Sequence, residues 1–318
     1  MGLTGYVLRR LGLLVVTLLA ISLLISGILE LLPGDAAEQI LGAWAERSGQ
    51  TLAAMRVRLG LDQPWHARYL TWLSGVVHGD LGRSLALNQP IAPLLVERLG
   101  YSLRLALPAL AIAGLASVVL GVLAAARPNG PIDHAITAVT LTGVSLPAFV
   151  TGSLLILVFA GWLRWLPSAS ALLQGEGFAF WMRMLALPIA TLTLESLAHA
   201  TRTTRSSMIE VLKAPYVRTA VLKGVPRWVV LFKHALRNAL LPTVTVLAFN
   251  FGWMLGGIVI VEQVFSYPGL GSLVLFAIEQ RDLPLLQASM FFVASGYCVA
   301  NLVADVVYAL LNPRIRYA

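Results

Sequence analysis

LALPALAIAGLASVVLGVLAAA, residues Leu105–Ala126, holds no charged side chain and is bracketed by Arg104 and Arg127. As a helix this stretch is about 33 Å long, enough to cross the hydrocarbon core of a bilayer. Working outward, five further blocks have the same apolar character: Leu11–Leu32, Ala135–Leu163, Leu185–Ala200, Thr243–Val264 and Leu285–Leu311. The block Leu185–Ala200 is short and carries Glu195 and His199. All six runs exceed the ~9–11 residues of a barrel strand, and an isolated chain segment in lipid must satisfy its own backbone, so helices are expected. Leu11–Leu32 follows Arg9 and Arg10, is long for a secretory leader and is followed by no A-x-A-like cleavage site. It reads as a retained anchor. The expectation is an all-α membrane protein with six transmembrane helices.

The whole composition agrees. Of 318 residues, 58% are hydrophobic and 12% charged, with a mean hydropathy of +0.80. A soluble domain has roughly 45–50% apolar and 25% charged residues, so a water-soluble enzyme and a disordered chain are both excluded. One cysteine, Cys298, lies in an apolar run, which rules out an internal disulfide or a cysteine metal site.

Basic residues set the expected direction of threading. The alternate segments 1–10, 127–134, 201–242 and 312–318 hold 13 of the 23 Lys and Arg residues, including all three lysines. The short segments on the other side hold only Arg164, Arg183 and Arg281. Seven more arginines fall within 33–104, which is too long to obey the charge rule. Both termini are therefore expected in the cytoplasm. Residues 201–242 carry eight basic residues and one acidic, Glu210, so +7 of the chain's net +8 sits in one cytoplasmic segment. A basic juxtamembrane segment can serve membrane lipid or a protein partner. No nucleic-acid-binding fold or aromatic platform accompanies it.

The expected division is 1–32 for the N-terminal end and first span, 33–104 for an extracytoplasmic segment with short helices, 105–311 for the core with five spans, and 312–318 for a cytoplasmic tail. Within 33–104, Pro33-Gly34-Asp35 signals a turn, Ala36–Leu59 and Gln63–Val77 have helical periodicity, and Gly79-Asp80-Leu81-Gly82 interrupts it. Between the last two spans, Pro268, Gly269 and Gly271 form a turn and Ser272–Gln280 is apolar but too short to span.

Familiar catalytic patterns are missing. There is no G-x-x-x-x-G-K-[ST] loop for a nucleotide and no H-E-x-x-H, and the five histidines are scattered. Gly143-Val144-Ser145-Leu146-Pro147 lacks the second glycine of a serine nucleophile turn. No catalytic residue and no metal ligand is assigned, and no cofactor is expected on this chain. Polar groups at membrane depth are few: Glu195 and Asp305 carry charge, and Asn250, Gln287 and Asn301 do not. A carboxylate there costs about 2.5–3.5 kcal/mol on insertion scales, so it must face protein or water. Glu195, Asp305 and Asn250 are candidates to line a polar pathway or to hold helices together.

A series of short motifs resembles the inner-membrane permease subunits of binding-protein-dependent ABC importers, in the dipeptide, oligopeptide and nickel branch. The series runs YVLRRL at Tyr6–Leu11, LPGD at Leu32–Asp35, LGLDQP at Leu59–Pro64, GDLGRSL at Gly79–Leu85, GVSLPAF at Gly143–Phe149 and WLP at Trp165–Pro167. It continues with RTTRSSMIEVL at Arg202–Leu212, YVRTAVLKG at Tyr216–Gly224, HALRNALLP at His234–Pro242, EQVFSYPGLG at Glu262–Gly271, RDLP at Arg281–Pro284 and NPRIR at Asn312–Arg316. Each is weak alone; the order is specific, and it covers nearly the whole chain.

The resemblance implies a type I ABC importer permease fold in the cell inner membrane and a non-catalytic role in transport by alternating access. It implies as partners a second homologous permease, two cytoplasmic ATPase subunits carrying ATP and Mg, and an extracytoplasmic solute-binding protein that delivers a peptide. The family's E-A-A-x-x-x-G motif falls on Arg218-Thr219-Ala220 and Gly224, with Arg218 in place of Glu and Thr219 in place of Ala. By that match the ATPase-coupling residues are Tyr216, Val217, Arg218, Thr219, Ala220, Lys223, Gly224 and Pro226. An apolar centre of Tyr216, Val217, Ala220, Val221 and Leu222 is expected to be exposed for docking. The same machinery importing nickel or a metal chelate is the alternative. A proton-coupled secondary transporter predicts matched broken helices in two inverted halves, and neither these nor a lipid-active enzyme's catalytic groups are found. Peptide is preferred because the spans hold no His/Cys cluster, and Glu195 and Asp305 could meet an ammonium group.

Overall fold

The computed structural model describes residues 3–31, 53, 54, 56, 57, 62–170 and 177–311. The LPGD turn, nearly all of the Ala36–Leu59 pattern and the NPRIR tail lie outside them. The described residues form helices α1 (Leu3–Glu30), α2 (Trp65–Val77), α3 (Ile91–Ala126), α4 (Pro131–Ser145), α5 (Ala148–Leu155), α6 (Phe178–Leu212), α7 (Pro215–Leu222), α8 (Leu236–Val264), α9 (Leu270–Glu279) and α10 (Leu283–Leu311). Among the described residues no strand forms beyond one isolated bridge, Arg83 to Pro90. The fold is an all-α membrane protein.

Among the described residues four helices are long and apolar enough to cross a membrane: α1, α3, α6 and α10. Two bent pairs bring the number to six if each pair is one span. The block Ala135–Leu163, expected as one helix, is instead α4 and α5 at 101°. The break falls at Pro147, and Leu146 before it is extended with ψ 128°. A proline's ring disfavours helical geometry in the residue that precedes it, and its missing N–H removes a helical bond. The helix then continues as a π-helical stretch, Ile156–Trp162. The block Thr243–Val264 also bends, by 56°, between Met254 and Ile258, where Gly256 and Gly257 lie.

The chain divides into two compact units. The first comprises residues 1–10, 103–267 and 299–318. In it α6 packs against α8, α4 and α5. Val122, Ala125, Met208, Ala235 and Ala239 are buried together. Small residues set the closeness of this packing: a Cβ on Gly121 would come within 2.5 Å of the Thr204 side chain. Thr204 Oγ1 also meets Thr243 Oγ1 at 2.9 Å, joining α6 to α8 by the kind of hydroxyl contact that holds helices in lipid. Below the first π stretch, Ser170 donates its backbone N–H to the Phe265 carbonyl at 2.7 Å and its hydroxyl to the Met184 carbonyl at 2.6 Å.

The second unit comprises residues 11–102 and 268–298. Its core joins Ile91, Leu94 and Leu95 to Leu270, Leu273 and Leu285. Asp282, fully buried, starts α10 by accepting the Leu285 N–H at 3.1 Å, as an N-terminal cap does. The same carboxylate accepts the Ser84 hydroxyl at 2.6 Å and the Ala86 N–H at 3.0 Å. Two of the motifs quoted above, GDLGRSL and RDLP, thus meet at one hydrogen-bonded carboxylate. Gly79 and Gly82 turn this loop with φ of 81° and 84°, conformations that side chains disfavour. α2 is tied down by Ser22 to Tyr69 at 2.9 Å and by the edge-to-face pair of Trp72 and Phe291.

Candidate functional site

The most basic segment folds around α7. Helix α6 runs past its apolar part to Leu212. Ala214 is then extended, with ψ 144°, as the residue before a proline prefers. Pro215 opens α7, where a missing N–H costs nothing. At the other end Gly224 takes φ +76°, and its N–H reaches the Val221 carbonyl at 3.0 Å. Val225 then donates to Ala220 at 3.2 Å, and this 6→1 arrangement with a left-handed glycine is how many helices stop. Pro226 caps a single turn, Arg227–Val229, which enters a π-helical stretch, Val230–Ala235, and then α8.

One expectation needs correction. Val217 and Ala220 are 2% and 8% exposed, packed on Val230 with Val211, Leu212 and Val225 around them. They are three residues apart and so share one helical face, the face turned to their own chain. Burying a valine side chain is worth about 1.5–3 kcal/mol, so these two hold α7 in place and do not form its free surface. The free surface is Leu222, at 79% exposure, Val221, at 57%, and Tyr216, with Arg218, Thr219 and Lys223 also exposed. Nearby Trp228 and Phe232 are exposed as well. Tyr216 accepts a hydrogen bond from Asn238 at 2.8 Å, which fixes the start of α7 against α8. Arg227 donates to the Ala126 carbonyl at the end of α3. The result is a short, anchored helix with an apolar tip beside cations, the anatomy of a protein interface.

The remaining candidates are separated from α7 in the fold. Glu195 is half-buried in α6, with no hydrogen bond or ion pair among the described residues. Asn250 lies in α8 with its side-chain N–H group buried and without a partner among the described residues. Asp305 on α10 pairs with Arg10 on α1 at 2.9 Å, so its charge is already matched. Gln287 donates to Ser26 at 2.8 Å, an interhelical bond. Among the described residues no three His, Cys, Asp or Glu side chains gather as a metal site would need.

Sequence reasoning passed over one strong polar contact. Asp133, in the first turn of α4 and 2% exposed, holds Arg205 of α6 with two bonds, Nε to Oδ1 at 2.5 Å and Nη2 to Oδ2 at 2.6 Å. The Asn129 N–H adds a third at 2.8 Å. The available signal was an acid just after Gly130-Pro131, on the side expected to hold 201–242, the segment with the largest basic excess.

A family model described as the binding-protein-dependent transport system inner membrane component matches residues 117–317, and the model for the N-terminal part of such components matches 3–106. The chain is 39% identical over 312 residues to a probable peptide ABC transporter permease of Sinorhizobium fredii, covering 98% of this chain and 99% of that one. It is 38% identical over 314 residues to a putative peptide transport system permease of Brucella abortus, covering 99% of both. The glutathione transport system permease GsiC of Salmonella choleraesuis is 38% identical over 313 residues, covering 98% of this chain and 99% of GsiC. This chain belongs to the family of inner-membrane components of binding-protein-dependent transport systems. It is accordingly a multi-pass inner-membrane ABC transporter permease, and the component it represents is not itself catalytic.

Proposed function

We propose that the chain forms half of the pathway by which an ATP-driven importer brings di- or oligopeptides across the inner membrane. The observation that carries this is the full-length similarity to three permeases whose names specify peptide or glutathione transport. Glutathione is itself a tripeptide, and nothing among those names favours nickel. A second, homologous permease supplies the other half. Two ATPase subunits bind ATP and Mg and dock on α7, where Tyr216, Arg218, Thr219 and Lys223 face outward, Val217 and Ala220 anchor the helix, and Gly224 and Pro226 set its exit. An extracytoplasmic binding protein presents the peptide. Glu195 and Asn250, polar and without described partners, are the better candidates for the pathway; Asp305, paired with Arg10, holds helices.

Purified alone in liposomes with ATP, the chain takes up no peptide and shows no solute-dependent ATP hydrolysis. With the second permease, both ATPases and the binding protein, a labelled dipeptide accumulates. Hydrolysis by the lone chain would refute the division of labour, and accumulation of nickel without peptide would refute the cargo.

The division of the chain across the membrane is part of the same proposal: termini, 127–134 and 201–242 in the cytoplasm, 33–104 outside. The distribution of Lys and Arg supports it. Reporter fusions after Lys213 and after Gln89 are expected to read opposite sides, and two signals from one side would sink it.

A further inference from the structure

A second site lies beside the Asp133–Arg205 pair. Helices α4 and α6 run antiparallel: Asp133 meets Arg205 at one end, and a Cβ on Gly143 would sit 3.6 Å from the Leu194 carbonyl at the other. Between them opens a cleft of about 430 Å³. One end is polar, lined by Asn129, His134, Arg202, Arg205 and Ser206. Further along both helices, toward their apolar stretches, Ile136, Leu141 and Ala198 line it together with Thr137 and Thr140, and the Thr140 hydroxyl is returned to its own helix at the Ile136 carbonyl. The outer wall of α4 there is apolar and open, with Val139 and Leu141 exposed.

Charge inside the cleft does not cancel. Among the described residues Asp133 is the only acidic one lining it, and its carboxylate is taken up by the Arg205 guanidinium and the Asn129 N–H. Arg202 is exposed and makes no ion pair or hydrogen bond among the described residues. A cation therefore stands over the polar end without a counter-charge.

Thr201, one residue away, adds an independent sign. Buried threonines elsewhere on α6 bond back to their own helix: Thr191 to Leu187 at 2.9 Å, Thr193 to Ile189 at 2.7 Å and Thr204 to Ala200 at 2.8 Å. Thr201 is equally buried, lines the cleft, and its hydroxyl has no partner among the described residues. Buried polar groups without partners are uncommon and costly, and call for an acceptor.

We propose that this cleft holds the phosphate of an anionic phospholipid. The phosphodiester sits toward Arg202, with the Ser206 and Thr201 hydroxyls as donors. An acyl chain runs over Ile136 and Leu141 into the bilayer. A free phosphate ion would satisfy the polar end but has no use for the apolar one, so the lipid is the occupant chosen. Basic pockets between membrane helices near the bilayer surface suit anionic headgroups on electrostatic grounds. The site is independent of which solute the transporter carries.

The test uses the purified full chain in a detergent without phosphate, followed by native mass spectrometry while dioleoyl-phosphatidylglycerol is titrated. Wild type is expected to keep one tightly held phosphatidylglycerol and to prefer it over dioleoyl-phosphatidylcholine. Arg202→Gln weakens that binding by about fivefold, the worth of one basic residue near a membrane surface, while Thr201→Val and Ser206→Ala weaken it by roughly two- to threefold, as lost hydrogen bonds do. Arg202 pairs with nothing described, so Arg202→Gln is expected to keep the wild-type melting temperature. Equal binding by wild type and Arg202→Gln, or no preference between the two lipids, would overturn the proposal. Displacement of phosphatidylglycerol by excess inorganic phosphate would assign the site to a free anion and overturn it too.

Discussion

If α7 docks ATPase subunits as proposed, Gly224→Glu is expected to leave the permease in the membrane and to cost it those subunits, abolishing uptake. The effect comes from backbone geometry and charge, because a Cβ at Gly224 meets nothing within 4 Å. Its φ of +76° is what matters. A side chain there costs about 1–2 kcal/mol in the left-handed region, on a helix of only eight residues. The turn relaxes, the bond from the Val225 N–H to Ala220 is lost, and the exposed tip of Val221 and Leu222 is displaced. Glutamate also puts a negative charge beside Lys223, in a surface proposed to dock through its cations. Gly224→Asn, which tolerates this conformation, is expected to keep most uptake. Co-purification of the ATPase subunits and peptide uptake in cells are the readouts. Normal values for both in Gly224→Glu would remove the docking role from α7.

The second large effect is on stability. Asp133→Ala removes both bonds to Arg205 and the acceptor for Asn129, and leaves the guanidinium partly buried without its carboxylate. Breaking a buried pair from one side costs about 3–5 kcal/mol, and the partial exposure of Arg205 brings the expectation to about 2–4 kcal/mol. Thermal unfolding of the detergent-solubilised chain measures it. The double variant Asp133→Ala, Arg205→Ala is expected to be less destabilised than the sum of the singles, because no uncompensated charge remains. Additive losses would show that the pair carries no coupling. Since the pair joins α4 to α6, its loss also loosens the start of the bent α4–α5 pair.

Much of this architecture was legible from apolarity and charge. Leu105–Ala126, Leu285–Leu311 and the Leu11–Glu30 part of the first block each fall within a single continuous helix, because twenty apolar residues in lipid have no other economical form. The stop at Gly224 was legible too, since glycine next to a proline two residues on has a narrow set of uses. Which proline breaks a helix was not. Pro108, Pro188 and Pro242 lie inside continuous α3, α6 and α8, whereas Pro147 separates α4 from α5. A proline removes one hydrogen bond wherever it stands; whether the helix survives depends on what packs around the gap, and that is tertiary information. For the same reason the residues proposed for coupling were legible as a short helix but not by face. Val217 and Ala220 turn inward because Val230 arrives from the next element. Asp133 escaped because one acid near a helix start is ordinary until Arg205, 72 residues later, is seen beside it.

The carboxylate of Asp282 has a bearing on how the protein is made. Its partner Ser84 precedes it by 198 residues, so the ribosome has completed most of the chain before that acceptor exists. Until then the Ser84 hydroxyl and the Ala86 N–H lack their acceptor, and Ile91, Leu94 and Leu95 lack Leu285 and Leu286 against which they pack. A chain stalled or cut before this point carries an unfinished unit with apolar surface uncovered, the state that chaperones and proteases recognise. Synthesis as far as the start of α10 is therefore what supplies the acceptor and the apolar partners for a unit whose other half was made long before.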